Sequence, residues 1–185
     1  MIDEWMNDAE KRMEGVIAAT KRDFAGIRTG RAHPSLVERI EVEYYGTMTP
    51  LNQLASISVP EPRTIVIQPW DQSAIKDIEK AILQSDLGLT PSNDGAIIRI
   101  QLPQLTEERR KELVRLVRKE AEERRVSIRN IRRQTNDDIK NLEKNGEVSE
   151  DDLRRAQTLV QELTDRYIKK IDELLEVKEK EIMEV

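Results

Sequence analysis

Residues 124–134 read RRVSIRNIRRQ and hold five arginines in eleven positions, broken by Val126, Ile128 and Ile131 at nearly helical spacing. Guanidinium groups do one kind of chemistry well: they meet phosphate or carboxylate oxygens through a planar fork of donors. The run extends upstream. Between Arg109 and Arg133 there are nine Arg and two Lys against four Glu, a local balance of +7 in a chain whose net charge is −5. On a helical wheel Lys111, Arg118, Arg125, Arg129 and Arg132 share a stripe about 60° wide. It lies beside the apolar face of Leu113, Val117, Ile128, Ile131, Thr135 and Leu142. Arg115 and Arg133 lie farther round, and Arg124 points into the apolar face, which suits a structural or inter-helical role.

A charge run is more often a solvated helix face than a binding site, roughly three times in four. Two features argue for binding here. Acids able to answer the arginines at the next turn are scarce, with only Glu120, Glu122 and Glu123 interrupting the middle of the run. Arg also outnumbers Lys, as bidentate phosphate contact would require. Acid on neighbouring helices could still neutralise the stripe internally, so these features point only to a phosphate-rich partner. No aromatic residue interleaves the arginines, so base stacking is not expected. The mode would be contact with the backbone of a folded, phosphate-dense surface.

Other chemistry is poorly provided for. The chain has one histidine, His33, and no cysteine, which leaves no His-based triad, thiol chemistry or His/Cys metal site. GIRTGR lacks the spacing and the Lys-Ser/Thr of a phosphate loop. EDD at 150–152 suits a helix's first turn, and SNDG at 92–95 suits a turn. No catalytic constellation, metal site or cofactor is expected.

The elements that must carry the stripe are legible from period. Of 185 residues, 37% are apolar, 36% are charged and six are aromatic, which fits long helices with narrow buried stripes. Residues 2–29 repeat every three or four positions through Ile2, Met6, Ala9, Met13, Val16, Thr20, Phe24 and Ile27. Gly30 and Pro34 end that helix. A two-residue period then marks strands at Ile40–Tyr44, Ala55–Val59, Arg63–Gln68 and Gly95–Leu102, with YGTMTP (45–50) as a turn. One helix lies between the last two strands, capped by Asp71 or Ser73 and ended by Gly88. Thr106 caps a second long helix running to Asn145-Gly146. Ser149 opens a third, whose stripe is broken only by Lys178.

At 1.5 Å per residue the three long helices would be about 42, 60 and 54 Å. None can bury its stripe alone, so they must pack together. The expected fold is α+β: an elongated antiparallel three-helix bundle from residues 1–29 and 106–185, with a small β/α/β domain inserted at 31–104. The two crossings lie near 29–31 and 103–106. They make Thr29, Gly30, Arg31, Pro103, Gln104 and Leu105 candidate hinge residues. No apolar run is long enough to span a membrane, and the acidic start resembles neither a signal nor a transit peptide, so a cytoplasmic protein is expected.

Several segments together resemble the bacterial ribosome recycling factor family: IRTGRA (27–32), VEYYGTMTPLNQLASI (42–57), SDLGLTPSNDG (85–95), LPQLTEERRKEL (102–113) and RNIRR (129–133). They occur in order across essentially the whole chain. The resemblance implies an L-shaped, tRNA-sized monomer of two domains that binds ribosomal RNA of the large ribosomal subunit with its bundle. It also implies action with elongation factor G and GTP to split post-termination ribosomes, the GTP being hydrolysed by the partner. On matching positions it makes Arg110, Arg129, Arg132 and Arg133 the RNA contacts, Arg132 foremost, with Arg28 and Arg31 secondary. Arg118 and Arg125 join them from the wheel. A rival expectation is a coiled-coil adaptor using the stripe on an acidic protein or anionic membrane. That adaptor has no use for a 74-residue insertion.

Overall fold

In the computed structural model, which describes residues 1–184, the first apolar period becomes helix α1, Ile2–Ala25. Its buried row is Ala9, Met13, Ile17, Thr20 and Phe24, with Val16 only half-buried. Asp3 and Glu4 in the first turn complement the helix's positive end. The helix stops four residues short of the expected Thr29, because Gly26 closes it back onto Arg22 and Ile27 bonds Phe24 in a tighter turn.

The chain next builds a sheet unit. Strand β1 (Glu41–Tyr44) pairs antiparallel with β2 (Thr47–Pro50). Residues 47–50, expected as part of a turn, are thus a strand. The turn itself is Tyr45-Gly46 alone, both with positive φ (50° and 77°), as a two-residue hairpin with the mirror-image turn requires. Strands β3 (Ala55–Glu61) and β4 (Thr64–Pro69) precede helix α2 (Ile75–Gln84). Asp71 accepts the Ser73 N–H ahead of that helix. The helix ends at Gln84, before the expected Gly88. Strands β5 (Pro91–Asn93) and β6 (Ile98–Gln101) complete an antiparallel sheet ordered β3-β4-β6-β5. β5 is unexpected: three residues carry no readable period, and only pairing with β6 makes them a strand. Ile65, Ile67, Ile98 and Ile100 of the sheet and Ile78 and Ile82 of α2 form the centre of this unit's core, each fully buried.

Both ends of the sheet unit are tied to one turn. The Ala32 N–H donates to Pro62 O at 2.6 Å and the Leu102 N–H to Arg63 O at 2.8 Å. Beyond those ties the two connecting segments touch. Gly30 takes φ +78°, and a Cβ there would lie 3.4 Å from Leu105 Cγ and 3.5 Å from Pro103 O.

Helix α3 (Glu107–Lys144) and helix α4 (Glu150–Met183) run about 57 and 51 Å. Between them Gly146 donates to Glu143 O and Glu147 to Leu142 O, with Gly146 at φ +74°, the paired bonds that end a helix at a left-handed residue. Ser149 then caps α4 by accepting the Asp152 N–H at 3.1 Å. The α3 row of Leu113, Val117, Ala121, Ile128, Ile131, Thr135 and Ile139 is buried. Val126 is not part of it. It is 44% exposed, because its position on the wheel falls outside the apolar arc. Lys178, the odd member of the α4 stripe, is buried and reaches Glu181 at 3.3 Å, keeping its charge answered. The chain divides into two compact units, Met1–Arg28 with Glu107–Glu184, and Thr29–Thr106.

Candidate nucleic-acid interface

Helix α3 positions the basic stripe, and α4 runs alongside it. Arg118 Nε donates to Glu179 at 2.5 Å. Seven residues on, Arg125 Nε donates to Asp172 at 2.8 Å, and Asp172 stands seven residues before Glu179. The spacing is that of two antiparallel helices packed side by side, where a step of two turns along one is matched by two turns back along the other. The next rung would join Arg132 to Asp165. Instead Arg132 donates to the side-chain oxygen of Gln161 at 3.2 Å, and the Gln161 amide donates to Asp165 at 2.9 Å.

Within α3, Glu122 receives Arg125 at 3.0 Å and Arg129 at 3.3 Å. The Arg125 hydrogen bond, seconded by that of Arg129, holds the Glu122 carboxyl below its ordinary range. At Arg125 itself partial burial works against the charge. The bonds to Asp172 and Glu122 outweigh it and hold the guanidinium firmly protonated.

Arg118, Arg125, Arg129 and Arg132 therefore do lie in one row beside the α3–α4 seam, and neighbouring acid answers part of it. Arg133 is exposed on another side of the helix. Arg110 is half-buried, and its Nε is buried without a hydrogen-bond partner. Arg28 ends the bundle's first segment, and Arg31 belongs to the sheet unit, as do Thr29, Gly30, Pro103, Gln104 and Leu105. Arg124 does reach another helix, pairing with Asp23 of α1. Sequence reasoning allowed for acid on the neighbouring helices but did not single out the acids of α4. Their signal was the seven-residue spacing of Asp165, Asp172 and Glu179, which mirrors Arg118, Arg125 and Arg132.

Among the described residues no cluster of His, Cys, Asp or Glu could hold a metal ion, and no helix is long and apolar enough to cross a membrane.

The family model for ribosome recycling factor matches residues 20–183. The chain belongs to the ribosome recycling factor family. It is 61% identical to the ribosome-recycling factor of Halalkalibacterium halodurans and 58% identical to that of Bacillus subtilis, in both cases over 185 residues and the whole of both chains. A solution structure of a ribosome recycling factor covers all of this chain and 98% of its own, at 50% identity and a TM-score of 0.75. A second solved structure covers both chains fully, at 50% identity and a TM-score of 0.64. It is described as models of the T. thermophilus ribosome recycling factor and E. coli elongation factor G bound to the E. coli post-termination complex. As a ribosome recycling factor, the chain is a translation factor of the α+β class with two units, and its function is the recycling of ribosomes.

Proposed function

We propose that this chain binds the large subunit of the post-termination ribosome and, with elongation factor G and GTP, separates the subunits for another round of translation. The observation that carries the partners is the full-length match, at 50% identity, to a factor placed with elongation factor G on the post-termination complex. The bundle holds the large subunit through phosphates of ribosomal RNA, which meet Arg132 first, then Arg129, Arg133 and Arg110, with Arg118 and Arg125 supplying field. Arg28 and Arg31 contribute near the connecting segments. Support for placing Arg132 first lies in the pairing: Arg118, Arg125 and Arg129 are held by carboxylates, while Arg132 is held by a neutral amide.

Thr29, Gly30 and Arg31 with Pro103, Gln104 and Leu105 act as the hinge through which elongation factor G moves the sheet unit. The chain itself hydrolyses nothing, GTP turnover belonging to the partner, and it works as a monomer in the cytoplasm, where the ribosomes are. The test follows light scattering of post-termination ribosomes mixed with the protein, a Bacillus elongation factor G and GTP. Scattering should fall with the native chain and scarcely with Arg132→Ala. No fall with either protein would remove the proposal.

A further inference from the structure

We propose that Gln161 is a positioning residue: it keeps Arg132 out of the α3–α4 ion-pair ladder and so leaves its guanidinium available to a phosphate of the RNA. The inference rests on the assignment of Arg132 as an RNA contact and adds a residue on a different helix, α4.

The ladder sets the expectation that Gln161 breaks. Arg118 and Arg125 each take the α4 carboxylate in register, Glu179 and Asp172. Asp165 is the carboxylate in register with Arg132, yet it accepts from Gln161 one turn before it on its own helix. A side-chain amide, with an acceptor and a donor on one group, can sit between a cation and an anion in this way. Its oxygen accepts from Arg132 and its nitrogen donates to Asp165.

Two consequences follow for Arg132. A carboxylate would engage two of the five guanidinium donors as a fork and cancel the charge, whereas the amide oxygen takes one donor and leaves the charge intact. The single bond also fixes the side chain against α4, so less rotamer freedom is lost when a phosphate arrives. The same relay occupies an oxygen of Asp165, which would otherwise compete with RNA for the guanidinium.

The experiment measures binding of the full chain to purified large ribosomal subunits across a salt series, for the native protein, Arg132→Ala, Gln161→Leu, Asp165→Asn and the double variant Gln161→Leu/Asp165→Asn. Gln161 is exposed, so leucine there leaves the core alone, and thermal melting confirms that each variant is folded. Without the relay Asp165 captures Arg132. Gln161→Leu should therefore raise Kd several-fold and lower the salt slope by about 0.7–0.9, the loss of one phosphate contact, as Arg132→Ala does. Removing the captor in the double variant should restore both quantities, while Asp165→Asn alone changes neither.

Native-like binding by Gln161→Leu beside weak binding by Arg132→Ala overturns the role of Gln161 and leaves the RNA contact standing. Native-like binding by Arg132→Ala removes both. A double variant that stays weak, or an Asp165→Asn variant that gains as much by itself, shows that capture by Asp165 is not the cause and overturns the inference.

Discussion

The Tyr167 hydroxyl on α4 donates to Glu14 of α1 at 3.2 Å, while its ring, 1% exposed, is among the largest fully buried side chains in the protein. A Lys170 ammonium stands 4.3 Å over that ring. One aromatic residue thus fills the bundle and ties its first helix to its last. Glu14 accepts only from the neutral phenol.

That arrangement sets an alkaline limit. Burial, then the hydrogen bond and charge of Glu14, push the Tyr167 phenol up to about 12. A group whose pKa is raised on folding contributes stability that is complete below its unfolded value, near 10, and is lost as pH rises through the folded value. Denaturant unfolding should show stability falling between pH 10 and 12, and Tyr167→Phe should flatten that fall. An equal fall in the variant would leave Tyr167 out of the transition.

Gly30→Ala tests the connecting segments. The left-handed backbone at φ +78° costs a non-glycine residue about 1–2 kcal/mol, while the new Cβ would only come into contact with Leu105. We expect a loss of that order in chemical denaturation and slower ribosome splitting, with binding to large subunits unchanged. Slower splitting caused by weaker binding would argue against a hinge role.

Ile78→Ala removes a fully buried side chain of α2 from the sheet unit's core. The expected cost is about 2–5 kcal/mol, carried by that unit. Amide hydrogen exchange should quicken across 29–106 while the centre of α3 and α4 keeps its protection. Quickening spread evenly over the chain would mean that the two units unfold as one.

Arg125→Ala should weaken binding to large subunits less than Arg132→Ala, since Arg125 already spends its donors on Asp172 and Glu122. Its loss of stability should be about 1–2 kcal/mol, because the half-buried side chain gives up packing as well as its ion pairs. The comparison needs one salt concentration, because the contact is electrostatic.

Ser149→Ala removes the oxygen that receives the Asp152 N–H. Thermal melting should show a loss of about 1 kcal/mol, with no change in subunit binding.

The sequence by itself determined the helices and the stop of α3, because period, caps and a left-handed glycine act within a few residues of one another; α1 and α2 end earlier than their glycine signals implied. Ser149 with Asp152, Gly146 after α3, and the rows through Met13, Val117 and Ile171 were all readable from local spacing. So were the insertion, the arginine stripe and the long-range task of Arg124. Tertiary structure decided what depends on distant partners. Residues 47–50 and 91–93 are strands only because β1 and β6 present open edges to them. Val126 lies outside because the bundle covers one arc of α3 and no more. Which arginines are answered and which is left with its charge was settled by the register of two helices. The acids that meet Arg118 and Arg125 stand 61 and 47 residues away along the chain. A wheel drawn on one helix contains no term for the helix beside it.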